Sequence, residues 1–404
     1  MNADLVVIGA GALGLSTALH AALLGQSVIV VERHAAGSQA SGRAAGLFKS
    51  VQADELRTRL ARRSIERAVS FAEWAGADLD VRRSGSVLIA RTAEHREMLR
   101  REARQSRAWG VDIGDASPTE LGDRLSFYQP GGSELALWCP EDVYIEEPMS
   151  LIEAYLAASK RHGVELLEGE SAIGVTLTNG RVAGIETTCR SLAARAVVDA
   201  AGAWTRQVAE LAGASVAVAP VRHQLMITEP TAAVEVTAPI ARVVDAAVYL
   251  RPARGGLMVG GFEPDPLPLD PRSQPAAFST DDVPLDAGPV EKMAAQVGTE
   301  VPLASGPVAE HRAGLFTMSP DGRFVAGPVP DMPGLWIASG CNGSGFSSSL
   351  ALGEALAGWI AGAPGLVDIG ALSPARFGPV TDDVLVRQGV WQYAHYYDPA
   401  GAAD

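Results

Sequence analysis

Residues 4–34 read DLVVIGAGALGLSTALHAALLGQSVIVVERH, and Gly9, Gly11 and Gly14 within them form G-x-G-x-x-G. The pattern predicts a buried strand at 4–8, a helix at 13–24 and a second strand at 27–31. Glycine at the first position permits the tight turn, at the second it admits a pyrophosphate to the backbone, and at the third it allows helix and strand to pack closely. Glu32 follows Gly11 by 21 residues, where a carboxylate accepts hydrogen bonds from a ribose. The motif alone is common. The strand, helix, second strand and acid around it point to dinucleotide binding.

Composition bounds what surrounds this unit. A chain of 404 residues, 47% hydrophobic and 20% charged, has room for two or three domains. A net charge of −14 argues against a polyanionic partner, so nucleic acid is set aside. Cys139, Cys189 and Cys341 are odd in number and far apart, suggesting neither a disulfide framework nor a metal site. The apolar N-terminus lacks a basic leader and a cleavage site, and no apolar stretch is long enough to cross a bilayer. A cytoplasmic protein with no membrane span is the expectation.

Further along, amphipathic helices are expected at about 52–75, 93–109, 147–162 and 286–299, and strands at 86–90, 164–167, 171–178, 181–187 and 195–199. From 218 to 263, VRHQLMIT, VVDAAVYL and GGLMVGGF read as strands separated by Pro and Gly. Residues 264–289 read as a Pro- and Asp-rich loop. The strand LWIAS then enters a glycine-rich turn and an apolar helix reaching about 361. The class is α/β with α+β: a Rossmann-like cofactor domain from 1–82, 145–217 and 312–404, and a discontinuous, mainly antiparallel substrate domain from 83–144 and 218–311.

Three remote segments favour FAD over NAD. Small residues in SQASGRAAGL (38–47), the strand end AVVDAAGAW (196–204) and the GCNGSGF turn (340–346) are additions that an NAD domain does not need. Together with PVRHQLMITEP, YLRPARGGLMVGGFE, MSPDGRFVAGP and GLWIASGCNGSGFSSSLALGEALAGWI, the chain resembles the D-amino-acid oxidase superfamily of flavoproteins. The likeness extends over nearly the whole chain and favours the glycine oxidase, sarcosine oxidase and dimethylglycine dehydrogenase branches.

That resemblance implies FAD contacts from Gly9, Gly11, Gly14, Glu32, Arg33, Ser41, Arg43, Ala45, Gly46, Leu47, Ile173, Ala201, Gly202 and Trp204. It adds Gly343, Ser344, Gly345, Phe346 and Ser347 at the flavin ring. Where relatives attach flavin covalently through a histidine or a cysteine, this chain has Arg43 and Gly314, so non-covalent FAD is implied. The relatives' carboxylate-binding arginine and lysine correspond to Phe316 and Ser347, which leaves the substrate's identity open, including an aromatic or apolar body against Phe316 and Trp138.

Strand alternation places Tyr249 and Arg251 on one face of their strand and His223 with Leu225 and Ile227 on one face of the preceding strand, so the flavin-facing side of the sheet carries His223, Tyr249 and Arg251. By resemblance, His223 and Tyr249 are the expected catalytic pair, and Arg251 and Phe316 the expected substrate contacts. His311, Arg312, His395, Tyr396 and Tyr397 rank lower, at the rim. The implied reaction removes a hydride equivalent from the carbon beside nitrogen in a secondary or N-methylated amine or amino acid, giving an imine that hydrolyses. A 2-hydroxy-acid dehydrogenase and a non-catalytic FAD-carrying subunit are the alternatives. The electron acceptor is O2, or a quinone or electron-transfer protein. No lysine occurs between Lys160 and Lys292, so the sheet lacks the lysine that would favour oxygen reduction; Lys49, Arg43 and a protonated His223 are the alternative cations, and the second group is preferred.

Overall fold

Leu5, Val6 and Val7 are wholly buried, and Ile8 nearly so, as in a strand covered on both faces. A computed structural model describing residues 2–363 and 365–398 shows how the two faces are used. Leu5 and Val7 pack with the helices Ala12–Leu23, Pro148–Arg161 and Gly345–Ile360. Val6 and Ile8 pack with the opposite layer, which includes Ile185, Leu192 and Val208. The strand is thus the centre of a sandwich, with alternate side chains feeding separate cores.

Among the described residues there are two eight-stranded sheets. In the first, Leu335–Ser339, Ser191–Asp199, Asn2–Ile8, Val28–Glu32 and Glu165–Glu168 run parallel in that order. Val325–Pro328 closes one edge antiparallel, and Arg181–Thr187 with Ala172–Thr178 extends from Ser191–Asp199. The helices Ala12–Leu23 and Gly345–Ile360 lie close together: a Cβ on Gly353 would fall 2.3 Å from the Ser16 hydroxyl oxygen. No larger residue fits that crossing without displacing a helix.

The second sheet runs Val308–Met318, Ala219–Thr228, Gly256–Gly261, Val248–Ala253, Ile240–Val243, Ser86–Ala90, Leu135–Cys139, Gly114–Ala116. Its period of two separates its faces: Met226, Leu250 and Val259 pack with Val290 and Met293 of the helix Ala287–Gln296, while Leu225, Tyr249 and Met258 pack toward Ala45 and Leu47 of the first domain. Val308–Met318 pairs along Ala219–Thr228 from Val308↔Thr228 to Met318↔Ala219, so the sheet continues past the expected division at 311/312.

Two further differences have local causes. VVDAAVYL is not one strand, because Ala247 takes a left-handed conformation at φ 53° and folds Ile240–Val243 back on Val248–Ala253. The expected helix 52–75 is two, Glu55–Val69 and Phe71–Ala75, separated at Ser70, whose hydroxyl donates to the Glu66 carbonyl. No helix among the described residues is long and apolar enough to cross a membrane.

Candidate active site

The carboxyl ends of the parallel strands open into a cleft with about 2040 Å³ of empty space, including its mouth. Ile8, Glu32, Ala200 and Ser339 line it from those strand ends, and His223, Tyr249 and Phe316 from the second sheet. Ligands in open α/β folds sit at such strand ends.

At the first end, the loop after Asn2–Ile8 is tied to the acid beside it. The Glu32 carboxylate accepts the N–H groups of Ala10 and His34, each at 2.8 Å. The Ser41 hydroxyl accepts the Ala12 N–H at 3.0 Å. Helix Ala12–Leu23 begins at Gly11 with no side-chain cap and no acid in its first turn, leaving an electropositive terminus suited to an anion. Gly14 serves the turn from beneath, where a Cβ would lie 1.9 Å from the Gly9 carbonyl oxygen. The Arg33 guanidinium lies over the Trp204 ring, 4.9 Å from its centroid, and donates to the Phe278 carbonyl at 3.3 Å.

At the other end, the strand pair Ala219–Thr228 and Val308–Met318 sets His223 opposite Gly314, Leu225 opposite Arg312, and Val221 opposite Phe316. The His223 ring stacks on Phe316 with centroids 4.1 Å apart. Its Nε2 is 2.9 Å from the Tyr249 hydroxyl and its Nδ1 is 2.7 Å from the Tyr393 hydroxyl. Burial, with Lys49 adding to it, pushes the imidazole pKa down to about 3. His223 is therefore neutral across the physiological range. Burial also raises the Tyr249 phenol, so both groups are uncharged hydrogen-bonding partners.

Two cations border this neutral pair. Arg312 is only 9% exposed, lines the cleft and has no partner for its Nε. Its other nitrogens meet the Glu310 carboxylate at 3.3 Å and the Ala44 carbonyl at 3.4 Å. Lys49 also lines the cleft, with Nζ 3.4 Å from the Tyr396 hydroxyl. The Tyr396 ring in turn stacks on Phe262 at 4.0 Å. The helix Gly345–Ile360 begins here without a side-chain cap or an acid in its first turn.

A family model described as FAD dependent oxidoreductase matches residues 4–359. The chain belongs to the FAD-dependent oxidoreductase family. It is 27% identical over 368 residues to human mitochondrial sarcosine dehydrogenase, covering 89% of this chain and 40% of that protein. It is also 27% identical to the 4-methylaminobutanoate oxidase (formaldehyde-forming) of Paenarthrobacter nicotinovorans, covering 92% of this chain and 45% of that one. The chain thus spans less than half the length of these curated relatives. The solved structure of L-proline dehydrogenase from P. horikoshii superposes with a TM-score of 0.83 at 23% identity, covering 93% of this chain and 98% of that one.

The cleft of this FAD-family member has features that fit the cofactor. An uncapped helix N-terminus suits a diphosphate, the half-buried Glu32 suits a ribose, and a second uncapped helix lies at the far end. Gly46 also lines the cleft, packed so tightly on the neighbouring backbone that a Cβ would lie 2.1 Å from the Ile145 carbonyl oxygen.

Of the residues anticipated from sequence, Gly9, Gly11, Glu32, Arg33, Ser41, Arg43, Ala45, Gly46, Leu47, Ala201, Gly202, Trp204, Gly343, Gly345, Phe346 and Ser347 line this cleft with His223, Tyr249 and Phe316. Gly14 and Ser344 lie behind its wall as turn and helix-cap residues. Ile173 is a correction: its side chain is 54% exposed, and the neighbouring Ala172 lines the cleft instead, as the alternation of a strand requires.

Arg251 is a second correction. It shares a sheet face with Tyr249 but is wholly buried under the first domain, donating to the carbonyls of Ala45, Glu146 and Pro252. Trp138 is a third, packed against Arg124 at 4.1 Å outside the cleft lining. Among the rim candidates, Arg312 and Tyr396 line the cleft, whereas His395 stacks on Trp391 and His311 lies outside the lining. Phe262 and Tyr393 were missed, whereas Lys49, visible in the sequence as a candidate cation near the flavin, lines the cleft.

Proposed function

We propose that this chain, with FAD bound non-covalently, oxidises the C–N bond of a secondary or N-methylated amine that carries a carboxylate. The observation that carries the reading is the neutral His223–Tyr249 pair beside the buried Arg312, whose Nε has no protein partner. Similarity to a sarcosine dehydrogenase and a 4-methylaminobutanoate oxidase supports an N-methylated amino acid in particular.

FAD, when bound, accepts the two electrons of the reaction. Gly9, Gly11, Glu32, Ser41 and Arg43 hold its dinucleotide part, Arg33 and Trp204 cover that end, and residues 343–347 face its ring. Arg312 takes the substrate carboxylate, replacing the cations that Phe316 and Ser347 do not supply. Tyr249 hydrogen-bonds the amine, and Phe316 with Phe262 excludes water around the carbon that loses its hydrogen. A neutral His223 and low-dielectric walls favour the unprotonated amine, the form with a lone pair to drive electron loss. The product imine is then hydrolysed by water.

The electrons leave to oxygen or to a quinone, dye or electron-transfer protein: the second sheet presents no lysine to the cleft, but Arg312 and Lys49 both line it as cations. Anaerobic mixing of FAD-loaded protein with N-methylated amino acids, simple amines and 2-hydroxy acids tests the substrate class. Bleaching of the flavin by the first group is expected. Bleaching by 2-hydroxy acids alone overturns the reading.

A further inference from the structure

We infer that Tyr393, on the C-terminal helix Asp382–Ala394, is a positioning residue that fixes the tautomer of His223 and thereby directs the Tyr249 hydroxyl proton into the cleft. Both imidazole nitrogens are occupied by phenols, Nδ1 by Tyr393 at 2.7 Å and Nε2 by Tyr249 at 2.9 Å. A neutral imidazole carries one N–H, so it donates to one phenol and accepts from the other.

The surroundings of the two phenols choose the direction. Tyr393 is wholly buried and lies outside the cleft lining, so Nδ1 is the acceptor within reach of its proton. Tyr249 lines the cleft, so its proton has somewhere else to go.

The consistent chain runs from the Tyr393 O–H to Nδ1 and from the Nε2–H to the Tyr249 oxygen, leaving the Tyr249 O–H free for a ligand. The opposite direction would strand the Tyr393 proton in an apolar cluster of Phe262, Met318 and Val221 and consume the Tyr249 proton within the protein. Stacking on Phe316 holds the ring plane in register with both phenols. The C-terminal helix thus acts on the reacting centre through a hydrogen bond spanning 170 residues of sequence.

The kinetic part of this inference rests on the proposed amine oxidation, but the tautomer does not. The first test is nitrogen NMR of the FAD-loaded protein with 15N-labelled histidine, with His223→Ala identifying the signals. Nε2 protonated and Nδ1 bare is expected; a proton on Nδ1 overturns the inference, whatever the substrate.

The second test is Tyr393→Phe, which keeps the ring that packs on Phe262 at 5.0 Å. The variant is expected to keep the flavin spectrum and substrate affinity, lose the single fixed tautomer, and reduce flavin at saturating substrate roughly tenfold more slowly. An unchanged tautomer and reduction rate in a folded variant overturn the inference. If the variant does not fold, the wild-type tautomer still decides it.

Discussion

Arg251 donates its Nε–H to the Ala45 carbonyl at 2.8 Å, joining the second sheet to the small-residue segment of the first domain. The same guanidinium reaches the Glu146 carbonyl at 2.9 Å and lies over the Tyr144 ring at 4.8 Å. Its role is to hold the domains together beside the cleft. Arg251→Met removes the donors from three carbonyls and is expected to cost about 2–4 kcal/mol, read as a lower denaturant midpoint at unchanged substrate affinity. A variant of normal stability that no longer binds substrate would return Arg251 to the active site.

The glycines of the first turn are unequal in a way that stability and flavin content separate. A Cβ on Gly14 would lie 1.9 Å from the Gly9 carbonyl oxygen, whereas one on Gly11 would meet the Ser41 hydroxyl oxygen at 3.1 Å. Gly14→Ala is expected to yield an unfolded or flavin-free chain, and Gly11→Ala a folded chain with weakened FAD affinity. Equal flavin titrations for the two variants would contradict this assignment of the turn.

Acid or heat denaturation is expected to release FAD into the supernatant. The positions used for covalent attachment in similar flavoproteins hold Arg43, which pairs with Asp281 at 2.5 Å, and Gly314, which has no side chain. Flavin remaining with the precipitated chain would show attachment elsewhere.

Stability should fall on the acid side. Burial pushes His20 down to about 4 and His223 to about 3, from 6.5. The unfolded chain takes up these protons first, so the two groups leave folding unpenalised above pH 6.5 and oppose it increasingly as pH falls from 6.5 toward those folded values. Each costs on the order of 2 kcal/mol at pH 4.5. Thermal melts in excess FAD at pH 7.5 and 4.5 should show this drop, and His20→Gln should reduce it. A drop of the same size in the variant would place the acid sensitivity in other groups.

What the sequence disclosed follows from the distance over which each feature is determined. The first turn and Glu32 belong to one local unit, so strand, helix, glycines and acid were all legible. Alternation correctly gave Tyr249 and Arg251 a common face, but it cannot say that segments 44–46 and 145–147 cover one and leave the other facing the cleft. Ile173, put at the cofactor by resemblance, stands one residue from the Ala172 that lines the cleft. Tyr393 meets His223 only because the C-terminal helix packs against Ala219–Thr228, a tertiary event with no local signature. Arg312 was visible as a residue, but not as one with a buried, unpaired Nε.

The most direct test of the account is anaerobic single-turnover reduction of the FAD-loaded protein by an N-methylated amino acid, its decarboxylated amine and its 2-hydroxy analogue, repeated with Arg312→Gln. The account predicts that the amino acid bleaches the flavin fastest at low concentration, that Arg312→Gln raises its apparent dissociation constant roughly tenfold or more, and that the variant binds the decarboxylated amine as the wild type does. Faster bleaching by the hydroxy acid, or an Arg312→Gln variant with unchanged affinity for the amino acid, would contradict it.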